Sequence, residues 1–188
     1  MKIMLFHSAL GLRTVERDIA AALREDAHDV LVPDLYDGKT ATTLEDGLAL
    51  KDAVGWAAIR ARAHNALDGA PADTVLAGVS MGAGVVSEVW PERPAAPAVL
   101  LIHGYADIPT HVAAGVRASL HVAVGDTFAP EDTLRRWESA ASASRVEAEV
   151  HRYAGVGHFF IDPASADYDE VAARAVLQRA RTFLRGIS

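Results

Sequence analysis

The chain has 188 residues, no cysteine, 51% hydrophobic residues and a formal net charge of −7 at pH 7. This length and composition predict one domain, residues 1–188, whose core needs neither disulfides nor a structural metal. Acidic and basic residues are interspersed, which excludes the basic patch that nucleic acid or an anionic membrane surface would require. The absence of cysteine excludes thiol catalysis and zinc–thiolate sites. Because no two of the eight histidines stand at the i, i+4 spacing, we expect no metal site. We also expect no cofactor.

The N-terminal residues give no sign of export. Only the apolar run 3–6 separates Lys2 from His7, whereas the apolar part of a signal peptide has roughly 7–15 residues. The longest apolar run, residues 98–102, is too short to cross a bilayer. These features predict a cytoplasmic protein with no membrane partner.

Short apolar, β-branched runs alternate with longer amphipathic stretches along the chain. This is the pattern of an α/β fold in which a parallel sheet carries helices on both faces. The first five runs are almost continuously apolar, as expected where both faces of a sheet are covered. The last run alternates more and is predicted to be an edge strand. The six predicted strands are Lys2–Phe6, Asp29–Val32, Thr74–Val79, Ala98–Ile102, Leu120–Val124 and Glu147–Tyr153.

Caps and apolar spacing predict helices between these strands. The first predicted helix follows Thr14 and has Val15, Ile19, Ala22 and Leu23 on one face. The second runs from Leu44 to about Leu67 after a Thr43 cap, and the third runs from Ala83 to Trp90. The fourth begins at Pro130, with Leu134, Trp137 and Ala141 on one face, and the last carries an apolar stripe of Val176, Ala180, Phe183, Leu184 and Ile187.

The third predicted strand is followed directly by Gly78-Val79-Ser80-Met81-Gly82. This G-x-S-x-G pattern, placed between a strand and a helix, is typical of a nucleophile elbow, in which the serine occupies a strained turn. The N-terminus of the following helix directs free N–H groups and the positive end of its dipole toward that serine. The pattern therefore predicts Ser80 as a nucleophile.

A serine hydroxyl needs a base within hydrogen-bonding reach and a carboxylate that orients the base. In open α/β sheets the functional side chains lie beyond the carboxyl ends of the strands. Asp126 follows the fifth predicted strand and His158 follows the sixth, which is the order expected for the acid and the base. We predict a Ser80–His158–Asp126 triad, with Asp107, after the fourth strand, as the alternative acid.

The loop after the first strand is where the second oxyanion donor is expected. We assign the two donors to the backbone N–H groups of Met81 and Ala9. Other residues near strand ends are candidates for substrate contacts, although Tyr36 is also explained by a structural role and His103 by a buried, backbone-satisfied position. The candidate substrate-binding residues are His7, Ser8, Leu10, Tyr36, His103 and Phe159.

Several separate stretches of the sequence carry one resemblance. They are His7-Ser8-Ala9-Leu10-Gly11, Pro33-Asp34-Leu35-Tyr36, the elbow, Gly125-Asp126-Thr127-Phe128-Ala129-Pro130, and Tyr153 through Phe159. Together these stretches resemble the dienelactone hydrolase family of α/β-hydrolases. The resemblance implies a compact α/β-hydrolase fold of about six mainly parallel strands without a lid domain. It also implies hydrolysis of an ester or lactone, with Ser80 as nucleophile, His158 as base and Asp126 as its orienting acid.

Two positions depart from the family's namesake enzymes. Those enzymes use a cysteine as nucleophile and a glutamate in the loop after the first strand, where this sequence has Ser80 and Ser8. The departures favour an ordinary serine-esterase mechanism over an arrangement tuned for dienelactone. With no inserted lid, the pocket is expected to be shallow or completed by a second subunit, so a homodimer is one expected assembly.

The sequence thus predicts a serine hydrolase that cleaves a small carboxylic ester or lactone through an acyl-enzyme intermediate. A catalytically quiet α/β-hydrolase scaffold that binds a small ligand or a protein partner stays open, because a fold does not fix function. A dinucleotide-binding domain is the remaining alternative, suggested by the loose G-x-G-x-x-small match at residues 82–87. That match follows the third strand, whereas the dinucleotide fingerprint belongs after the first.

Overall fold

The computed structural model describes residues 1–113 and 115–187; residues 114 and 188 of the predicted domain lie outside the described residues. Its centre is one sheet of six parallel strands in the order β2-β1-β3-β4-β5-β6. This confirms the predicted α/β class. The strands are β1 (Lys2–Phe6), β2 (Asp29–Leu31), β3 (Val75–Val79), β4 (Ala98–Ile102), β5 (Arg117–Ala123) and β6 (Glu147–Tyr153).

The strand limits differ most from the prediction at β5. The structure begins this strand at Arg117 and ends it at Ala123, whereas the sequence predicted Leu120–Val124. Residues 117–119 are not an apolar run, but they pair with β4 on one side and with β6 on the other. Pairing on both sides, which no local pattern records, therefore extends the strand. The predicted edge position of β6 is confirmed.

Among the described residues, five α-helices and one short 3₁₀ turn, Trp90–Glu92, connect the strands, and a sixth α-helix follows β6. None of the helices in the described part of the chain is both long enough and apolar enough to span a bilayer. The helices are α1 (Thr14–Arg24), α2 (Leu44–Val54), α3 (Trp56–Leu67), α4 (Met81–Val89), α5 (Glu131–Ala143) and α6 (Glu170–Arg185).

The single helix predicted from Leu44 to Leu67 is wrong, because the structure has two helices separated at Gly55. Gly55 has a φ of +82°, a left-handed value that ends a helix and that residues with a side chain rarely adopt. Its N–H donates to the Lys51 carbonyl and closes α2. The predicted start of α4 also moves, from Ala83 to Met81.

Helices cover both faces of the sheet, and alternate strand residues point to the two faces. On one face, Leu76 of β3 packs in a cluster with residues of α3, α4 and α5. On the other face, its neighbours Val75 and Ala77 pack with residues of α1 and α6. This two-sided burial explains why the central strands read as continuous apolar runs.

Helix α4 approaches the sheet closely through two glycines. A Cβ on Gly78 would lie 2.3 Å from the Gly82 carbonyl group, and a Cβ on Gly82 would lie 2.2 Å from the Phe6 carbonyl oxygen. Both distances are far inside van der Waals contact, and the opposing atoms are backbone. Glycine at both positions therefore lets the N-terminus of α4 rest against β1 and β3.

We expect Gly82→Ala to lower the free energy of unfolding by at least about 2 kcal/mol, because the new methyl group meets immovable backbone. The matched control is Gly84→Ala on the same helix, where a Cβ would meet only the Trp56 ring at 3.4 Å. That control should stay within about 1 kcal/mol of the wild type. Urea unfolding measures both, and equal stabilities of the two variants would contradict the close-packing argument.

Candidate active site

Ser80 occupies the sharp turn between β3 and α4. Its φ of 51° and ψ of −112° lie outside the regions that residues with a side chain normally adopt. The Ser80 N–H donates to the Ile102 carbonyl oxygen of β4 at 2.7 Å, and the Ala83 N–H donates to the Ser80 carbonyl oxygen at 2.9 Å. The turn therefore has the strand–turn–helix geometry that the glycine-flanked serine predicted.

The structure brings the three predicted triad residues into one hydrogen-bonded series. Ser80 Oγ lies 2.9 Å from His158 Nε2, and His158 Nδ1 lies 2.6 Å from Asp126 Oδ2. The side chains of His158 and Asp126 are 10% and 1% exposed. With the Nδ1 proton donated to the carboxylate, Nε2 is free to accept the serine proton. The alternative acid, Asp107, is exposed and is not the carboxylate paired with His158.

Loops beyond β5 and β6 position Asp126, the predicted acid, and His158, the predicted base. The second oxygen of Asp126 accepts the Phe128 N–H at 2.9 Å, so the carboxylate also fixes its own turn. The Phe128 and Phe159 rings lie 4.7 and 4.5 Å from the His158 ring, measured between centroids. These contacts hold the imidazole in a partly apolar setting that limits its rotation.

The two predicted oxyanion donors flank Ser80. Ala9 lies in the turn after β1, and Met81 is the first residue of α4. Both residues line the same pocket as Ser80. Within the described residues, neither backbone N–H group donates a hydrogen bond to another protein atom. Free N–H groups at this position are what a developing oxyanion requires.

Glu16 fixes the loop that carries Ala9, and the sequence analysis did not single it out. Its buried carboxylate accepts the Ser8 N–H at 3.1 Å and the Ser8 hydroxyl at 2.8 Å, while its second oxygen accepts the Arg13 N–H at 3.0 Å. The sequence did contain a signal, because Glu16 stands three residues before Ile19 and seven before Leu23, on the apolar stripe of α1. A charged residue on a buried face requires such partners.

The loop after β1 is also tied to the loop that carries His158. Arg13 pairs with the buried carboxylate of Asp162. Asp162 in turn donates its N–H to the Phe159 carbonyl oxygen, and Asp167 accepts the Phe159 N–H at 3.0 Å. These contacts join two loops that are about 150 residues apart in the chain, so they were not predictable from local patterns.

Two further predicted residues, His7 and Tyr36, lie behind the site. His7 Nε2 accepts the Leu35 N–H at 3.0 Å, which leaves Nδ1 to donate to the Ser8 carbonyl oxygen at 2.7 Å. Burial lowers the pKa of His7, against the raising effects of the Ser8 contact and of nearby carboxylates. Burial raises the pKa of the Tyr36 hydroxyl, which donates to Met81 Sδ at 3.0 Å. Both side chains are therefore uncharged, and they hydrogen bond to Ser8, Leu35 and Met81 around the site.

A pocket of about 270 Å³ opens beside Ser80. Of the predicted substrate-binding residues, His103 lines it, whereas His7, Ser8, Leu10, Tyr36 and Phe159 do not. Leu10 and Phe159 instead pack together in a small buried cluster with Ala41. Most of the wall was not predicted, since it comes from helices and loops away from the triad. The lining residues are Ala9, Leu44, Leu48, Lys51, Trp56, Ser80, Met81, Gly84, His103, Gly104, Tyr105 and Phe128.

Lys51 is the charged residue among those that line this pocket. In the described part of the chain, no group of three His, Cys, Asp or Glu side chains is placed to hold a metal ion. Burial, aided by His158 and His121, holds the pKa of His103 well below its ordinary value. The site therefore combines a hydrogen-bonded serine and imidazole with a largely uncharged pocket.

This sheet, with a serine at a sharp turn beyond β3, defines the α/β-hydrolase class. The model of the dienelactone hydrolase family matches residues 1–188, and the chain belongs to that family. The chain is thus a hydrolase of the esterase type. No curated protein matches the chain.

Solved structures share the fold at low sequence identity. One is a dienelactone hydrolase-like promiscuous phosphotriesterase from metagenomic libraries, with 17% identity and a TM-score of 0.81 over 99% of this chain and 86% of that one. Another is esterase 2 of Thermogutta terrifontis, with 16% identity and a TM-score of 0.71 over 100% of this chain and 83% of that one. At these identities the likeness concerns the fold.

The contacts of Glu16 predict that Glu16→Gln lowers the free energy of unfolding by about 1–3 kcal/mol, because an amide N–H₂ group would face the donors of Ser8 or Arg13. The matched control is Asp18→Asn, an exposed carboxylate on the same helix, which should change stability by less than about 0.5 kcal/mol. Urea unfolding of both variants at neutral pH provides the measurement. A Glu16→Gln protein as stable as the control would show that these hydrogen bonds contribute little.

The buried histidines predict a loss of stability in mild acid. Burial lowers the pKa of His7 and His103, and it lowers the pKa of His121 to about 3. In the unfolded chain these imidazoles titrate near about 6.5, so below that pH the unfolded state binds more protons and the free energy of unfolding falls. Each fully buried imidazole contributes a slope of up to about 1.4 kcal/mol per pH unit.

Urea unfolding at several pH values between about 7 and 5.5 measures this slope. His121→Asn should make the slope shallower, whereas His111→Asn, at an exposed position, should leave it unchanged. A stability that is constant across this range would contradict the prediction.

Proposed function

We propose that residues 1–188 form one domain that acts as a serine hydrolase on a small carboxylic ester or lactone. Ser80 is the nucleophile, His158 the general base and Asp126 the residue that orients the base. The observation that carries this proposal is the pair of hydrogen bonds from Ser80 Oγ to His158 Nε2 and from His158 Nδ1 to Asp126 Oδ2. Membership of a hydrolase family supports it.

In the first half of the reaction, Ser80 Oγ attacks the carbonyl carbon of the ester while His158 Nε2 takes the hydroxyl proton. The carbonyl oxygen becomes an oxyanion, which the N–H groups of Ala9 and Met81 stabilise. When the carbon–oxygen bond to the leaving group breaks, the imidazolium returns its proton to the departing alcohol. Ser80 is then acylated.

In the second half, a water molecule attacks the acyl-enzyme and gives its proton to His158. The second tetrahedral intermediate collapses, Ser80 Oγ leaves and recovers the proton, and a carboxylic acid is released. Asp126 keeps Nδ1 of His158 protonated throughout, so that Nε2 acts as the base in each half of the reaction. With a lactone, the alcohol and the acid remain parts of one product.

The residues of the pocket wall favour a substrate with a small, mainly apolar acyl group. Leu44 and Leu48 of α2, Trp56 of α3 and Phe128 face the space beside Ser80. Lys51 is the cation in this wall, and its ammonium group is paired with Asp52. An uncharged acyl group therefore matches the wall better than a charged one.

A covalent probe tests the nucleophile. Incubation with a fluorophosphonate should add one label, which mass spectrometry maps to Ser80, because an activated serine hydroxyl attacks such phosphorus centres. Ser80→Ala should abolish labelling and reduce ester hydrolysis by at least roughly a thousandfold, and His158→Ala should slow both. The control is Ser142→Ala, an exposed serine on α5, which should label and react like the wild type.

Absence of labelling, under conditions that label another serine esterase, would overturn the proposed function. If a small ligand still bound without turnover, the catalytically quiet scaffold would be the better description. A label at another serine would reject Ser80 as the nucleophile.

A further inference from the structure

Aromatic side chains stand partly exposed in the wall of the pocket beside Ser80. Trp56, Tyr105 and Phe128 line this pocket, although aromatic residues make up only 6% of the chain. Trp56 and Phe128 are 36% and 44% exposed. Aromatic surface left in water inside a concave site is the kind of surface that a bound ligand covers. The proposed catalytic steps do not use these rings.

We propose that Trp56 is a specificity-determining residue whose indole ring packs against an aryl group in the acyl part of the substrate. The inference rests on the proposed function and adds a substrate class to it. That class is esters of small carboxylic acids that carry one aromatic ring close to the carboxyl group.

Two contacts hold the indole ring in place before any substrate binds. Trp56 Nε1 donates to Glu88 Oε1 at 3.1 Å, and the other oxygen of Glu88 pairs with Arg60 at 3.5 Å. At the tip of the ring, Cη2 would lie 3.4 Å from a Cβ built on Gly84 of α4. These contacts restrain the ring while more than a third of Trp56 stays exposed. Packing of a substrate ring against it therefore costs little further ordering of the protein.

The position of Trp56 matches the acyl part of the substrate. Gly84, below the indole tip, lies one helical turn after Met81, whose N–H is a proposed oxyanion donor. Phe128 marks the opposite end, because its ring lies 4.7 Å from that of His158. In the proposed reaction His158 returns its proton to the leaving group, so the leaving group lies at the Phe128 end. The acyl part then extends along α4 toward Trp56.

The size and the lining of the pocket favour a single ring. Its volume of about 270 Å³ is near the lower limit of ligand pockets, which is roughly 300 Å³. One aryl group fits such a space, whereas two fused rings or a long chain would extend out of it. Leu44 and Leu48 supply apolar surface beside Trp56. A ring that stacks on indole or meets it edge to face gains more than the burial of its area alone.

Two vinyl esters test the proposal. Vinyl phenylacetate and vinyl cyclohexylacetate have the same leaving group, which contains no ring, and both have one CH₂ between the ring and the carbonyl group. Their carbonyl groups are therefore similarly reactive. In Trp56→Leu we expect the ratio of kcat/KM for the phenylacetate to kcat/KM for the cyclohexylacetate to fall roughly three- to tenfold. Titration of the released acid at constant pH measures both rates.

Two further variants are the controls. Trp56→Phe keeps an aromatic ring at the same position and should retain most of the wild-type preference. Tyr168→Leu removes an exposed aromatic ring that does not line this pocket, so it should leave the ratio unchanged.

A second measurement leaves Trp56 intact. In the Ser80→Ala protein both esters bind without turnover. Trp56 is one of three tryptophans, and the other two, Trp90 and Trp137, are 0% and 4% exposed. The phenylacetate should therefore quench the fluorescence of Trp56, and it should bind at least roughly threefold more tightly than the cyclohexylacetate. This measurement decides the question if Trp56→Leu does not fold.

An unchanged ratio of the two esters in Trp56→Leu, or equal affinities for both in Ser80→Ala, would overturn the proposal. Failure of the proposed function is a separate outcome. It would appear as absence of turnover of both esters and of fluorophosphonate labelling in the wild type, whatever the binding measurement shows.

Discussion

The approach of α4 to the sheet is the constraint on which the site depends. Because Gly78 and Gly82 lack side chains, the helix backbone rests against β1 and β3. This contact places the strained Ser80 turn beside the loop after β1, and it brings the N–H groups of Met81 and Ala9 to one pocket. A wider separation of helix and sheet would leave the proposed nucleophile and the proposed oxyanion donors in different places.

Buried carboxylates hold the loops around this turn. Asp126 joins its own turn to His158, Glu16 holds the loop after β1, and Asp162 ties that loop to the segment beyond β6. Each carboxylate has hydrogen-bonding or charged partners, so its burial is compensated and the loop it contacts is restrained. His103 is the contrasting case, because its ring nitrogens are buried without partners among the described residues.

One backbone feature contributes to the pocket wall. The positive φ of Gly55, +82°, ends α2 and starts α3, and Trp56 of α3 lines the pocket while its Nε1 donates to Glu88 at 3.1 Å. The lining also includes the apolar side chains of Leu44 and Leu48, together with Ser80. A mainly apolar wall with few polar groups selects for shape and for a small number of polar atoms.

The amino-acid sequence by itself determined the succession of strands and helices along the chain, the parallel α/β class and the positions of Ser80, Asp126 and His158 at strand ends. Apolar runs, caps and the glycine-flanked serine are local signals, and the chain order of acid and base adds one more constraint. Only the tertiary structure decided the break at Gly55, the partners of Glu16 and the pocket wall. These depend on backbone conformation and on contacts between residues far apart in the chain, which local periodicity does not encode.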